Sequence, residues 1–243
     1  MQDHLERMTR DFNRKMPRGM LSISMNLKKT YRPKPLTIRE DLLRELACSV
    51  CQRSYGVYAI ALFCPDCGAP NAAQHFGREV HLVAEQIDVA DEKNGQGRRE
   101  LAYRLMGNAQ EDVVTAFETT LKTIFRFLVR RDCTDRYESL CSQRVTRNAF
   151  QNVDRAKELF ENVNVDPFAS LDAGDLEFLR LNIQKRHVIG HNLGIVDDSY
   201  AQLTNGDKPG ETVALLGDEI TRFAKVCLDI VTHLDSGLIS ATH

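Results

Sequence analysis

Helix-period patterning dominates the chain from residue 75 onward. Apolar residues recur there every three or four positions, a spacing that brings side chains onto one face of an α-helix. The pattern predicts five helices, over residues 75–89, 98–131, 150–162, 175–192 and 218–234. Residues 91–97 (DEKNGQG) are expected to form a non-helical segment between the first two helices. Antiparallel packing of four or five such helices predicts a bundle.

Two segments nearer the N-terminus follow the two-residue period of a β-strand. Residues 21–27 alternate apolar and polar side chains without a break, and residues 55–63 are rich in aromatic and β-branched types. The two strands could form one small sheet. The expected fold is therefore mainly α, with a small β-containing segment ahead of the bundle.

Composition narrows the class of protein. The 243 residues are 42% hydrophobic and 27% charged, which excludes wholesale disorder and collagen-like repeats. The longest apolar run, residues 57–63, has seven residues, whereas a membrane helix needs about 20. Residues 1–16 are dense in charge and lack the apolar stretch of a signal peptide. We therefore expect a cytoplasmic protein without membrane contact.

The net charge of −2 hides a basic N-terminal arm. Residues 1–35 hold nine Lys or Arg and three acids, a local charge of +6. Such an arm can attract phosphate by charge and counterion release. A solvated arm that keeps the protein in solution is the other interpretation.

Four of the seven cysteines form two closely spaced pairs. Cys48, Cys51, Cys64 and Cys67 follow the pattern C-x2-C, twelve residues, C-x2-C. Two such turns can direct four thiolates at one ion, so the spacing predicts one Zn²⁺ per chain. An iron site, disulfides and free thiols are the alternatives, and the missing secretory signal disfavours disulfides. Four protein ligands leave no open position, so the zinc is expected to be structural.

The cysteine segment resembles a zinc ribbon over roughly residues 42–71. Some zinc ribbons bind nucleic acid, and Arg53, Tyr55 and Tyr58 could stack on bases. Such side chains more often only cover the hairpin. The other three cysteines, Cys133, Cys141 and Cys227, are predicted to be small buried side chains.

A second candidate site lies near the end of the helix predicted over residues 175–192, in the stretch 185–192 (KRHVIGHN). His187 and His191 are four residues apart, so they should stack on one face, about 40° apart around the axis. That face continues an apolar stripe, so both are expected to point inward, to a core, a cleft or a partner subunit. Arg186 is about 140° from His191. The two side chains can meet only if the arginine bends or the helix loosens at Gly190.

Three interpretations of this stretch are open. A zinc protease site is disfavoured, because Val188 stands where that chemistry needs a glutamate. The histidines could be interior side chains, with Asn192 and Gly194 ending the helix. The third interpretation is acid–base chemistry on a phosphodiester: a histidine takes the proton of a ribose 2′-OH, and an arginine stabilises charge growing on the phosphate.

The order Arg186-His187-x3-His191 resembles the R-x4–6-H signature of the HEPN superfamily, and residues 186–200 are similar to prokaryotic HEPN domains. The resemblance covers about residues 98–242. It implies a metal-independent endoribonuclease that acts as a dimer with a shared cleft. Arg186 would stabilise the transition state, His191 would be the general acid or base, and His187 would support them. Asn192 is a further hydrogen-bonding candidate.

We therefore expect four segments: a basic arm with one strand (1–40), a zinc ribbon (41–72), a connecting helix (73–97) and a HEPN-like helical domain (98–243). The expected function is that of a homodimeric RNA-cleaving toxin or antiviral-defence effector, held in check by an antitoxin or other regulatory protein. The alternative is a non-catalytic HEPN and zinc-ribbon module that binds RNA or a protein.

Overall fold

A computed structural model describes residues 44–57, 60–204 and 206–238. The chain divides into two units, Met1–Arg44 and Glu45–His243, and the description below concerns the second. The basic arm, the strand predicted over residues 21–27 and Tyr58 lie outside the described residues.

The described part of the chain is mainly helical, with a small antiparallel sheet of two strands. The sheet pairs β1 (Arg44–Ala47) with β2 (Ser54–Val57). The helices are α1 (Ala72–Gly95), α2 (Arg99–Asp132), α3 (Tyr137–Leu140), α4 (Gln143–Thr146), α5 (Val153–Glu161), α6 (Ala173–Asn192), α7 (Asp198–Ala201) and α8 (Gly217–Gly237), with 3-10 turns at Thr134–Arg136 and Ala149–Gln151.

The strand predicted over residues 55–63 is too long. β2 ends at Val57, and residues 60–63 contain no strand, although Phe63 forms an isolated bridge with Pro70. The apolar side chains at the end of this stretch do not belong to the sheet. Leu62 and Phe63 instead pack against the helical core. An apolar run of this length cannot by itself separate a strand from an extended segment lying on a core.

The predicted break at residues 91–97 is also too long. Residues 91–95 belong to α1, and the chain turns only at residues 96–98, where Gly97 has a φ of +76°. The charged residues before the turn are good helix formers. Glu92 also accepts hydrogen bonds from the side chains of Lys93 and Gln96, at 2.8 and 2.7 Å. Polarity alone therefore did not mark the end of this helix.

The bundle has one main hydrophobic core. α1 packs along α2, α8 packs on both, and α6 packs on α2 and α8. The apolar positions of α2, spaced three and four residues apart, are buried from Ala109 through Leu128, whereas Leu101 and Leu105 near the start of the helix are half-buried. α1, expected as a connecting helix, contributes Phe76 and Val83 to this same core.

The remaining cysteines and helix boundaries mostly follow the predictions. Cys227 and Cys141 are buried, whereas Cys133 is half-buried and its Sγ donates a hydrogen bond to the carbonyl of Asn162 at 3.4 Å. The helix predicted over residues 150–162 divides into the second 3-10 turn and α5, whose first turn is capped by the side chain of Asn152. No helix in the ranges described above is both long and apolar enough to cross a membrane.

Candidate functional site

The four paired cysteines converge on one point. Their Sγ atoms all lie within 4.8 Å of one another. The Sγ atoms of Cys48 and Cys67 are 3.7 Å apart, and those of Cys51 and Cys64 are 3.8 Å apart. Zn–S bonds of about 2.3 Å in a tetrahedron require sulfurs about 3.8 Å apart. The cluster therefore fits a metal such as zinc.

The two cysteine turns share one backbone geometry. In the first turn the N–H of Gln52 donates to the carbonyl of Cys48, and in the second the N–H of Gly68 donates to the carbonyl of Cys64, both at 2.9 Å. Gln52 and Gly68 occupy the same place after the second cysteine and have φ values of +62° and +70°. This left-handed residue reverses the chain, so both cysteines of each turn can face the ion. Glycine is the usual residue in this conformation, so Gly68 fits it easily, whereas Gln52 adopts it without being a glycine.

Backbone groups near the first cysteine favour its thiolate. The N–H groups of Cys51 and Val50 lie 3.5 and 3.4 Å from the Sγ of Cys48. These hydrogen bonds, that of Cys51 first, lower the pKa of Cys48 to about 6. Because the thiolate is the metal-binding form of cysteine, these two N–H groups favour Cys48 as a ligand for a cation.

The candidate base-stacking residues of the ribbon are engaged within it. The guanidinium of Arg53 lies 3.2 Å from the carboxylate of Asp66, so it joins the two cysteine turns. Tyr55 is half-buried, and its hydroxyl accepts a hydrogen bond from the side-chain amide of Asn71. Burial raises the pKa of Tyr55. Tyr55 therefore braces the hairpin, whereas Arg53 is exposed and pairs with Asp66 on its surface.

The second candidate site is built on α6. The side chain of Asp172 caps the start of this helix by accepting from the N–H of Asp175 at 2.8 Å, whereas Ser170 does not cap it. At the other end Leu193 and Gly194 are left-handed, with φ values of +53° and +78°. The N–H of Gly194 donates to the carbonyl of Val188 at 3.1 Å. This pattern ends the helix directly after Asn192.

Of the two ways in which Arg186 could reach His191, loosening at Gly190 is not used, since α6 is helical through Asn192. The glycine serves packing instead. A Cβ atom at Gly190 would lie 2.9 Å from Oε1 of Glu111 on α2. The missing side chain therefore lets this carboxylate approach the end of α6.

The histidines of α6 stack, but they do not point into the hydrophobic core. Their ring centroids are 4.5 Å apart, with planes inclined by 50°. Both His187 and His191 are exposed, so the interpretation of interior histidines is wrong. The buried face of α6 turns away from them because Val188 joins a second, smaller core with Val196 and Val213 from the segment after the helix.

Arg186 lies beside these rings in a different environment. Its Nε atom is buried without a hydrogen-bond partner, and no carboxylate in the described ranges forms an ion pair with it. Arg186 and His187 both line a surface cavity of about 370 Å³, whereas His191 is not part of its wall. The structure therefore brings Arg186 and His187 to one cavity and leaves His191 next to His187, outside it.

Asn192 has a structural partner. Its side-chain amide donates to Oδ2 of Asp197 at 2.8 Å, while Oδ1 of Asp197 accepts from the backbone N–H of Tyr200. Asn192 thus fixes the loop that forms one wall of the cavity. The same wall includes Asp197 and Tyr200.

The cavity also includes residues that the motif did not indicate. Arg155, Asn148 and Gln184 line it together with Arg186. Of these, only Gln184 is close to the motif in sequence, and nothing in the local pattern marked the other two. Their common location depends on how α5 and the turn before it pack against α6.

A comparison of the chain with known protein families, with characterised proteins and with solved structures found no match.

Proposed function

We propose that the end of α6 is the catalytic site of a HEPN-type endoribonuclease. The observation that carries the proposal is the guanidinium of Arg186, whose buried Nε has no hydrogen-bond partner in the described part of the chain, beside His187 on the wall of one polar cavity. A half-buried guanidinium that has no counter-ion among the described residues favours an anionic ligand. An imidazole next to it can move a proton near neutral pH. Together these two groups suit a phosphodiester.

The proposed reaction needs one base and one acid. A histidine removes the proton of the ribose 2′-OH, and the 2′-oxygen attacks the neighbouring phosphorus. The bond from phosphorus to the 5′-oxygen breaks, and that oxygen receives a proton from the acid. The products carry a 2′,3′-cyclic phosphate and a 5′-OH. Arg186 stabilises the charge that builds up on the phosphate oxygens.

The close stacking of the histidines supports a site shared by two copies of the chain. In an in-line displacement the attacking and leaving oxygens lie on opposite sides of the phosphorus. Two rings whose centroids are 4.5 Å apart on one helix approach a phosphate from the same side. One copy then supplies the base and the second copy supplies the acid.

The residues after α6 support the same dimer. Two apolar side chains are exposed here: Leu193 is 89% exposed and Ile195 is 42% exposed. The backbone of Leu193 is also left-handed. Leucine is unfavourable in this conformation and glycine is the usual residue there. An exposed apolar side chain in this conformation, two residues after His191, suits a contact with a second copy of the chain.

For the cysteine cluster we propose one structural zinc ion, held by Cys48, Cys51, Cys64 and Cys67. The sulfur spacing and the paired left-handed turns support this assignment. Bound zinc would stabilise a hairpin whose sheet, as far as the structure describes it, has two short strands. No step of RNA cleavage is assigned to this site.

The test is cleavage of labelled single-stranded RNA by the purified chain, with zinc content measured in the same samples. We expect cyclic-phosphate ends, and a rate loss of about 10²–10⁴-fold for His191→Ala and for Arg186→Ala. His81 and Arg104 are exposed on other helices, so His81→Ala and Arg104→Ala are the matched controls. Full activity in both site variants, or products with 5′-phosphate ends, would contradict the proposal.

The alternative function is RNA binding without cleavage. It is favoured by one observation, that His191 lies outside the cavity wall. An expression experiment separates the two functions. If the protein is an RNA-cleaving toxin or defence effector, expression of the wild type arrests cell growth and expression of His191→Ala does not. A binding module that acts by occupancy gives the same growth for both.

A further inference from the structure

The cavity beside Arg186 is larger than one phosphate requires. It continues into a second lobe of about 160 Å³, and the two lobes share the side chains of Gln151, Asn152, Ile183, Gln184 and Leu203. The larger lobe alone, about 370 Å³, falls within the range of about 300–1,000 Å³ that is typical of small-molecule sites. The groove therefore has room for a nucleotide next to the scissile phosphate.

The groove has a second cation without a counter-ion. Arg155 is exposed on α5 and forms no ion pair within the described ranges. Arg180 differs, because both of its terminal nitrogens contact the carboxylate of Asp154, at 2.5 and 2.6 Å, at the far end of the groove. Arg155 also belongs to the first turn of α5, where the helix dipole adds positive potential. The unpaired positive charge of Arg155 therefore lies in the larger lobe, next to that of Arg186.

The acidic group of the larger lobe is already engaged. Both carboxylate oxygens of Asp197 accept hydrogen bonds, from Asn192 and from the backbone of Tyr200. Its single negative charge offsets only part of the two positive charges of Arg155 and Arg186 in the same lobe.

The groove also holds amide groups that are not engaged. The side chains of Asn148 and Gln184 line the larger lobe, and neither has a hydrogen-bond partner in the described part of the chain. Each amide has both a donor and an acceptor, which is the combination that reads the edge of a nucleobase. Val114 and Leu203 supply apolar surface in the same lobe.

We propose that this groove binds the nucleotide adjacent to the cleaved bond and selects its base. Arg155 binds the next phosphate, and Gln184 and Asn148 hydrogen-bond the base. This proposal rests on the proposed ribonuclease function, since it places single-stranded RNA across Arg186. Single-stranded RNA suits the groove because its bases expose their edges.

The test measures binding of fluorescent hexaribonucleotides of A, C and U that carry 2′-O-methyl groups and so cannot be cleaved. We expect wild type to bind the three sequences with different affinities. Gln184→Leu should bring these affinities together, with a loss of about tenfold for the preferred sequence. Arg155→Ala should weaken all three alike and reduce the slope of log affinity against log salt by about 0.7, as for one lost phosphate contact.

Gln143→Leu and Arg144→Ala are the matched controls, because both residues are exposed on α4 and neither lines the groove. Circular dichroism verifies that every variant is folded. Equal binding of the three sequences by wild type, or an unchanged preference in Gln184→Leu, overturns the base-selection proposal even if the protein cleaves RNA. Selective binding that depends on Gln184 without any cleavage of unmodified RNA supports it and counts against the ribonuclease.

Discussion

The ammonium group of Lys185 lies 2.6 Å from the carboxylate of Glu219 and joins α6 to the first turn of α8. Only 6% of the lysine side chain and 23% of the glutamate side chain are exposed. The same ammonium donates to the carbonyl of Ala214 at 3.2 Å. The residue directly before Arg186 is therefore an anchor, and it fixes where the candidate catalytic arginine can lie.

Replacing this lysine should destabilise the protein. Lys185→Met leaves Glu219 partly buried without a counter-ion, so we expect the free energy of unfolding to fall by about 2–4 kcal/mol. Urea denaturation followed by circular dichroism measures this change. The comparison is Glu100→Gln, which removes the exposed pair with Arg104 and should cost less than about 1 kcal/mol. Similar losses of unfolding free energy in the two variants would show that the buried pair stabilises the protein no more than the exposed pair does.

The start of α1 is capped from a distant part of the chain. Asn71 precedes the helix but its side chain makes no capping hydrogen bond, and the carboxylate of Asp235 instead accepts from the N–H groups of Ala72 and Ala73, at 3.1 and 3.2 Å. Asp235→Ala should therefore lower the free energy of unfolding by about 1 kcal/mol. Asp229 lies on α8, as Asp235 does, but its side chain is exposed. We therefore expect Asp229→Ala to have little effect in the same urea denaturation assay.

The stability contributed by this cap should depend on pH. Burial raises the pKa of Asp235, against the opposing effect of the two backbone N–H groups. The folded state therefore holds the proton more tightly than the unfolded chain, and the contribution of Asp235 to stability falls as pH rises from about 4. Asp235→Asn lacks this ionisation. The free energy of unfolding of Asp235→Asn should therefore rise relative to that of wild type between pH 4 and pH 7. A difference between the two proteins that stays constant over this range would contradict the assignment.

Loss of the metal should affect the cysteine hairpin selectively. We expect one zinc ion per chain by elemental analysis, and a large loss of zinc in Cys48→Ser, because a hydroxyl is a poor zinc ligand. Cys133→Ser is the control, since this cysteine lies outside the cluster. Hydrogen exchange should speed up in residues 44–70 of Cys48→Ser and change little in α2. Full zinc content in Cys48→Ser would exclude the four-cysteine site.

The turn after α6 needs a glycine for two reasons that can be separated. Gly194 has a φ of +78°, and a Cβ atom there would overlap the hydroxyl of Tyr103, which donates to the carbonyl of Val213. Gly97 has a φ of +76° and open space around it. Gly97→Ala should cost about 1 kcal/mol from the backbone alone. Gly194→Ala should cost at least about 2 kcal/mol by thermal denaturation, and equal costs would show that Tyr103 yields freely.

Features that depend on local spacing could be predicted from the sequence. The period of α2 located a 34-residue helix to within one residue at each end, because every turn repeats the same burial. The four paired cysteines meet because short turns and one hairpin bring them together. The stacking of His187 on His191 follows from helical geometry alone.

Tertiary packing decided what local spacing could not. His187 and His191 are exposed because the neighbouring Val188 packs into a small core built from residues after the helix. Arg155 and Asn148 share a cavity with Arg186 only because α5 and its preceding turn lie against α6. Asp235 caps a helix whose first residue is 163 positions away in the chain. Sequence period determines which side chains share a face, whereas the choice of the face that is buried depends on contacts between segments far apart.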